Sequence, residues 1–212
     1  MEATDAAELI SELREERAEH EAEDKFRDRA ALLIAVMAIL LAIASLGGGN
    51  VAEDMIHNNI KASDTWAFFQ AKNVRQTQYK IAVDQLRAQL AANPGLPPQV
   101  RADMQKTVEE YKANIARYDD EPDPEAPDDV MRGEGKKQLS AQARNYETLR
   151  ERAGAQDANF DYSEVAFQLA IVLGSVAILA LSRKVLYIAL ALGAIGTLLM
   201  INGFTLMVNL PF

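Results

Sequence analysis

The stretch VAFQLAIVLGSVAILALSRKVLYIALALGAIGTLLMINGFTLMV, running from Val165 to Val208, decides the fold. In it two apolar runs, Val165–Leu181 and Val185–Val208, flank the tripeptide Ser182-Arg183-Lys184. At ~1.5 Å of helix rise per residue, each run reaches across most or all of a hydrocarbon core about 30 Å thick. Three residues between them leave no room for anything but a reversal, so this end of the chain reads as a transmembrane hairpin.

Working outward, a third apolar run, Ala30–Leu46, stands alone near the N-terminus. Whole-chain averages conceal these blocks: 49% hydrophobic residues and a mean hydropathy of -0.12 resemble those of an ordinary water-soluble protein. The apolar residues are instead segregated from strongly charged segments, as a membrane protein with a sizeable polar domain requires. Lys25, Arg27 and Arg29 precede the first run, and Arg183 and Lys184 occupy the hairpin turn. By the positive-inside tendency both clusters belong in the cytoplasm. One crossing outward followed by a hairpin satisfies both. The expected topology therefore has the N-terminus cytoplasmic, residues 47–164 periplasmic, and the tail Asn209-Leu210-Pro211-Phe212 periplasmic as well.

Residues 1–29 carry 11 acidic against 5 basic residues and read as a charged cytoplasmic helix, with Glu21/Lys25 and Glu23/Arg27 spaced four apart to pair. Leu9, Ile10 and Leu13 make a short apolar stripe, either a solvated extension or a docking face. This segment is not a secretory signal, because a long acidic stretch precedes the apolar run. After the first crossing, Gly47-Gly48-Gly49 predicts a helix end, and Asn50 with Glu53 a capping box that starts another helix. Val51, Met55, Ile56 and Ile60 would then lie on one face, against the bilayer surface or the central domain.

Beyond Ser63 the chain turns to helical seams. Tyr79, Val83, Leu86 and Leu90 follow a four-three-four spacing. The turn Asn93-Pro94-Gly95-Leu96-Pro97-Pro98 stops that helix and pre-sets the next. Gln99–Tyr118 repeats the pattern with Val100, Met104, Thr107 or Val108, Tyr111, Ile115 and Tyr118. Matching seams joined by a short turn predict an antiparallel, coiled-coil-like pair. Asp119–Asp129 is a proline-broken loop with seven carboxylates, a solvated linker or a weak divalent-cation site. Leu139, Tyr146, Ala153 and Phe160 then recur every seven residues, and Asp161 with Glu164 forms a second capping-box pattern before the hairpin. The fold class is all-α: three transmembrane helices, at residues 30–46, 165–181 and 185–208, and an extramembrane antiparallel helical domain.

Small residues recur at helical spacing in each crossing: Ala31, Ala35, Ala38, Ala42 and Ser45; Ala166, Ala170 and Gly174; Ala189, Gly193 and Thr197. Such stripes let helices approach closely in lipid, and Ala35, Ala38, Gly174 and Gly193 are the candidate contact positions. Gln168 and Asn202 are the notable polar side chains within the crossings, both expected toward the outer half, where they could hydrogen-bond each other. No Asp, Glu, Lys, Arg or His lies inside a crossing, which disfavours an ion-coupled transporter. Cysteine is absent, the two histidines fall on opposite sides of the membrane, and no phosphate loop or nucleophilic triad is present. No segment offers the basic face that nucleic acid needs. No cofactor, metal site or catalytic residue is expected, and an enzyme is disfavoured. Two functional classes stay open: a structural or accessory subunit whose periplasmic domain binds copies of itself or other membrane proteins, and an oligomeric pore lined by small and polar groups.

Near the start of the central domain stands Ser63-Asp64-Thr65-Trp66-Ala67-Phe68-Phe69-Gln70-Ala71-Lys72-Asn73-Val74-Arg75. With the alanine-rich first crossing ending in glycines and the terminal hairpin, this stretch resembles the bacterial domain-of-unknown-function family 4337, whose signature is similar to Trp-Ala-Phe-Tyr-Gln-Ala-Lys. Phe69 stands where that signature has tyrosine. The resemblance implies a bacterial inner-membrane location and no assigned activity. Physically the signature reads as an aromatic knob, Trp66 and Phe69, beside a polar stripe, Gln70, Lys72 and Arg75. These are candidate interaction residues, with packing against the returning helix or the membrane surface as the alternative.

Overall fold

A computed structural model describes residues 3–208 and 210, apart from the side chains of residues 3–10 and 12. Four helices account for nearly all of it: α1 (Ala3–Ala92), α2 (Pro98–Asp119), α3 (Lys136–Leu179) and α4 (Arg183–Thr205). Among the described residues there is no sheet; one isolated bridge joins Pro122 and Gly133. α1, α3 and α4 each contain a window long and apolar enough to cross a membrane, with mean hydropathies of 2.7, 1.7 and 2.1. The protein is all-helical and multi-pass. The stripe expected from Leu9, Ile10 and Leu13 falls mainly outside the described side chains, Leu13 being exposed, and the tail residues Asn209, Pro211 and Phe212 lie outside them too.

The chain divides into two units. The first comprises Met1–Glu53 and Ala153–Phe212. Its core is Met37, Ala44, Phe160, Phe167, Ala170 and Met200, supplied by α1, α3 and α4. The helix end expected at Gly47-Gly48-Gly49 is not found: α1 runs straight through it, and Asn50 and Glu53 sit exposed inside the helix rather than capping a new one. The glycines serve close packing instead. A Cβ at Gly47 would lie 2.7 Å from the Phe160 ring, one at Gly48 3.2 Å from Phe160 Cβ, and one at Gly203 of α4 3.0 Å from the same ring. Phe160 is fully buried in this glycine nest, with Phe204 edge-on at 4.8 Å. Glycine costs a helix about 1 kcal/mol relative to alanine, a cost that burying a phenyl ring offsets. Asp161 and Glu164 likewise start nothing, because α3 passes through both.

Polar side chains fasten the hairpin. Ser163 Oγ donates to the Gly196 carbonyl at 2.8 Å, and Gln156 Nε2 to that of Gly203 at 3.0 Å. Asn202 does not meet Gln168, which is exposed. Its amide donates instead to Asn159 Oδ1 and to the Val208 carbonyl, both at 2.9 Å, while its own oxygen accepts the Val208 N–H at 2.9 Å. That exchange closes the end of α4 and holds Leu206 in the left-handed conformation, at φ 47°.

The second unit is Asp54–Arg152. The expected antiparallel seam is present: Val83 and Val108 are buried, and the Tyr79 ring packs at a tilt against those of Tyr111 and Tyr118 at centroid distances of 5.0 and 5.9 Å. α3 returns antiparallel to α1. Arg150 meets Asn59 at 3.3 Å, Trp66 meets Glu147 at 2.8 Å and Lys136 meets Gln76 at 2.7 Å. Met55 is half-buried, whereas Ile56 and Ile60 are exposed; these residues belong to the unbroken α1 and not to a separate surface helix.

Candidate functional site

Two groups of residues stand out, one in each unit. In the second unit the signature at 63–75 splits by face. Trp66 packs edge-on against Phe69 with centroids 5.4 Å apart, and its Nε1 donates to Glu147 Oε1 at 2.8 Å. Lys72, one turn and a half further on, is 4% exposed. Its ammonium pairs with Glu121 at 2.8 Å and Glu134 at 3.6 Å, and lies over the rings of Phe68 and Tyr118 at 5.2 and 5.7 Å. Gln70 and Arg75 are exposed, Arg75 beside Tyr79, Tyr111 and Tyr118. The expected polar stripe is thus two features: Lys72 is an internal anchor, and Gln70 and Arg75 are surface groups.

Around Lys72 the acidic loop is built rather than merely solvated. Gly133 has φ +104°, and a Cβ there would lie 2.3 Å from the Glu121 carbonyl oxygen, so only glycine lets the two strands of the loop meet. Glu134 N–H donates to that same carbonyl at 2.9 Å. Gln138, 2% exposed, accepts the Glu121 N–H at 3.3 Å and donates to Asp120 Oδ1 at 2.6 Å. Arg132 pairs with Asp123 at 2.7 Å, Lys136 with Asp119 at 3.0 Å and Lys137 with Asp120 at 3.1 Å. Gln76, 1% exposed, donates to the Ile115 carbonyl at 2.9 Å and accepts from Lys136. Five of the seven loop carboxylates, Asp119, Asp120, Glu121, Asp123 and Glu125, are paired with cations of this unit, and among the described residues no group of three His, Cys, Asp or Glu is placed to hold a metal ion.

Gln76, Lys136 and Gln138 are missing from the sequence-based candidates, and Glu121 figures there only as one of the seven loop carboxylates. A single glutamine on a charged helix carries no periodic signal, and only the fold shows that it points inward.

In the first unit the small-residue stripes have unequal fates. Ala166, Ala170 and Gly174 of α3 and Ala189 and Gly193 of α4 are buried, and a Cβ at Gly174 or Gly193 would press on Ile34 or Met37 of α1 at 2.8 and 2.9 Å. α1 makes those contacts through Ile34 and Met37, and its buried small residues are Ala30 and Ala44. Its Ala31, Ala35, Ala38, Ala42 and Ser45 are all exposed.

The architecture, the signature around Trp66 and the glycine nest together cover most of the chain, and so does one family model. That model, described as a domain of unknown function (DUF4337), matches residues 26–206. The chain belongs to the DUF4337 family. The DUF4337 match begins just before the first apolar run and ends one residue past α4, so it takes in all of the second unit and most of the first. Neither a curated protein nor a solved structure matches the chain.

Proposed function

We propose that this DUF4337 protein is a non-enzymatic accessory subunit of the bacterial inner (cytoplasmic) membrane, with its N-terminus cytoplasmic and its helical domain periplasmic, that associates with copies of itself or with other membrane proteins. The observation that carries the reading is the unused stripe Ala31, Ala35, Ala38, Ala42 and Ser45 on α1. In lipid, association rests on close van der Waals approach, and small residues at helical spacing permit it. α3 and α4 spend their stripes inside the chain; α1 keeps one facing outward. The second unit supports the same reading, since its buried charges act as internal braces that rigidify a scaffold.

The test is the mass of the complex in native lipid discs. The wild type should run as a multimer or with bound partners, and Ala35→Leu with Ala38→Leu should shift the population toward single chains. A wild type found only as a bare monomer contradicts the proposal. Ion flux through liposomes holding the purified protein would favour a pore instead.

A further inference from the structure

A cleft of about 400 Å³ opens beside the hinge between α3 and α4, within the first unit. Three cations line it, Lys25 and Arg29 from α1 and Arg183 from the start of α4, together with Phe26, Leu186 and Tyr187. Among the described residues no carboxylate lines it. Arg29 and Arg183 form no ion pair among the described residues. Lys25 meets Glu21 at 3.6 Å, but both side chains are about 70% exposed, and a pair so solvated contributes little and exchanges readily.

The geometry points to a binding site for the phosphate of an anionic phospholipid. Three cations lining one cleft, two of them guanidiniums without an ion pair among the described residues, supply the donors, bidentate in the case of arginine, that a phosphate diester accepts. Their position fixes the source of that phosphate. The cleft sits where the apolar runs of α1 and α4 begin, at the level where headgroups meet acyl chains, and Leu186, Phe26 and Tyr187 give the glycerol and upper chain an apolar wall. A soluble anion would need the cations but not that wall. The inference depends on the multi-pass location alone and is independent of whether the chain self-associates.

The purified full chain in neutral detergent is titrated with short-chain phosphatidylglycerol and, separately, with short-chain phosphatidylcholine, and bound lipid is read by native mass spectrometry. Phosphatidylglycerol should bind about tenfold or more tightly than phosphatidylcholine, a difference that two or three interfacial cations can supply. Arg29→Gln with Arg183→Gln should erase most of that preference. Arg14→Gln with Arg17→Gln, which removes the same charge outside the cleft, should leave it. Equal affinity of the wild type for the two lipids overturns the proposal without reference to any variant. An equal loss in both double variants also overturns it, by showing diffuse attraction, and displacement of the lipid by millimolar inorganic phosphate would assign the cleft to a soluble anion.

Discussion

At the scale of single residues the account turns on Lys72. Removing one partner of a buried ion pair leaves the other charge uncompensated, which typically costs 3–5 kcal/mol; the Glu121 side chain stays 31% exposed, so Lys72→Ala should cost about 2 kcal/mol. Lys72→Met, which keeps the volume, should cost about 1 kcal/mol. Urea unfolding followed by circular dichroism checks both, and an unchanged midpoint for Lys72→Ala would contradict the anchor. The loop also makes stability depend on pH. A hydrogen bond from Gln76, with Lys136 beside it, holds the Asp119 carboxyl below its ordinary range, and Gln138 and then Lys137 do the same for Asp120. A carboxylate with a depressed folded-state pKa adds stability that is fully present above its unfolded value of about 3.9 and is lost as pH falls through the folded value. Stability should therefore drop on acidification below about pH 5, and Gln138→Met should make that drop shallower as well as lowering stability at neutral pH. Of this cluster only Lys72 was legible in the chain, as part of a motif. Gln76 and Gln138 were not, because burial of a lone amide is decided by neighbours that arrive from other segments, Asp120 and Glu121 for Gln138 and Ile115 and Lys136 for Gln76.

At the scale of elements, the seams of α1 and α2 and the hairpin of α3 and α4 could be read from spacing, since apolar periodicity reports which face a helix must bury. The glycine triplet could not. A run of glycines signals a helix end or a close approach equally well, and the arbiter is the Phe160 ring more than 100 residues downstream. The two readings separate by mutation. Gly47→Ala should destabilise by about 1–3 kcal/mol through overpacking against that ring, despite the better helix propensity of alanine. Gly49→Ala meets nothing within 4 Å and should stabilise by up to about 1 kcal/mol. A helix end at this point would give the opposite sign at Gly49, and thermal unfolding in detergent distinguishes them. The second capping pattern misleads for a related reason: Asp161 and Glu164 have the right spacing, but α3 already carries the helix past them and no free helix end exists to cap.

For the whole molecule, the three crossings were legible because a helix that spans hydrocarbon must be a long apolar run, whereas the side of each α1 face is decided by packing. Topology is open to chemical labelling, since the chain has no cysteine of its own. A cysteine at Ala126 should react with a membrane-impermeant maleimide in cells with a permeabilised outer membrane, and one at Ser182 only after lysis; the reverse pattern would invert the orientation. The central claim is that the exposed alanine face of α1 meets another protein. Its most direct measurement places a photo-crosslinking amino acid at Ala38, or at Ala170 as the buried control, in cells growing normally. Irradiation should give a discrete higher-mass protein adduct from position 38 and none from position 170. Adducts to lipid alone at position 38 would contradict the claim.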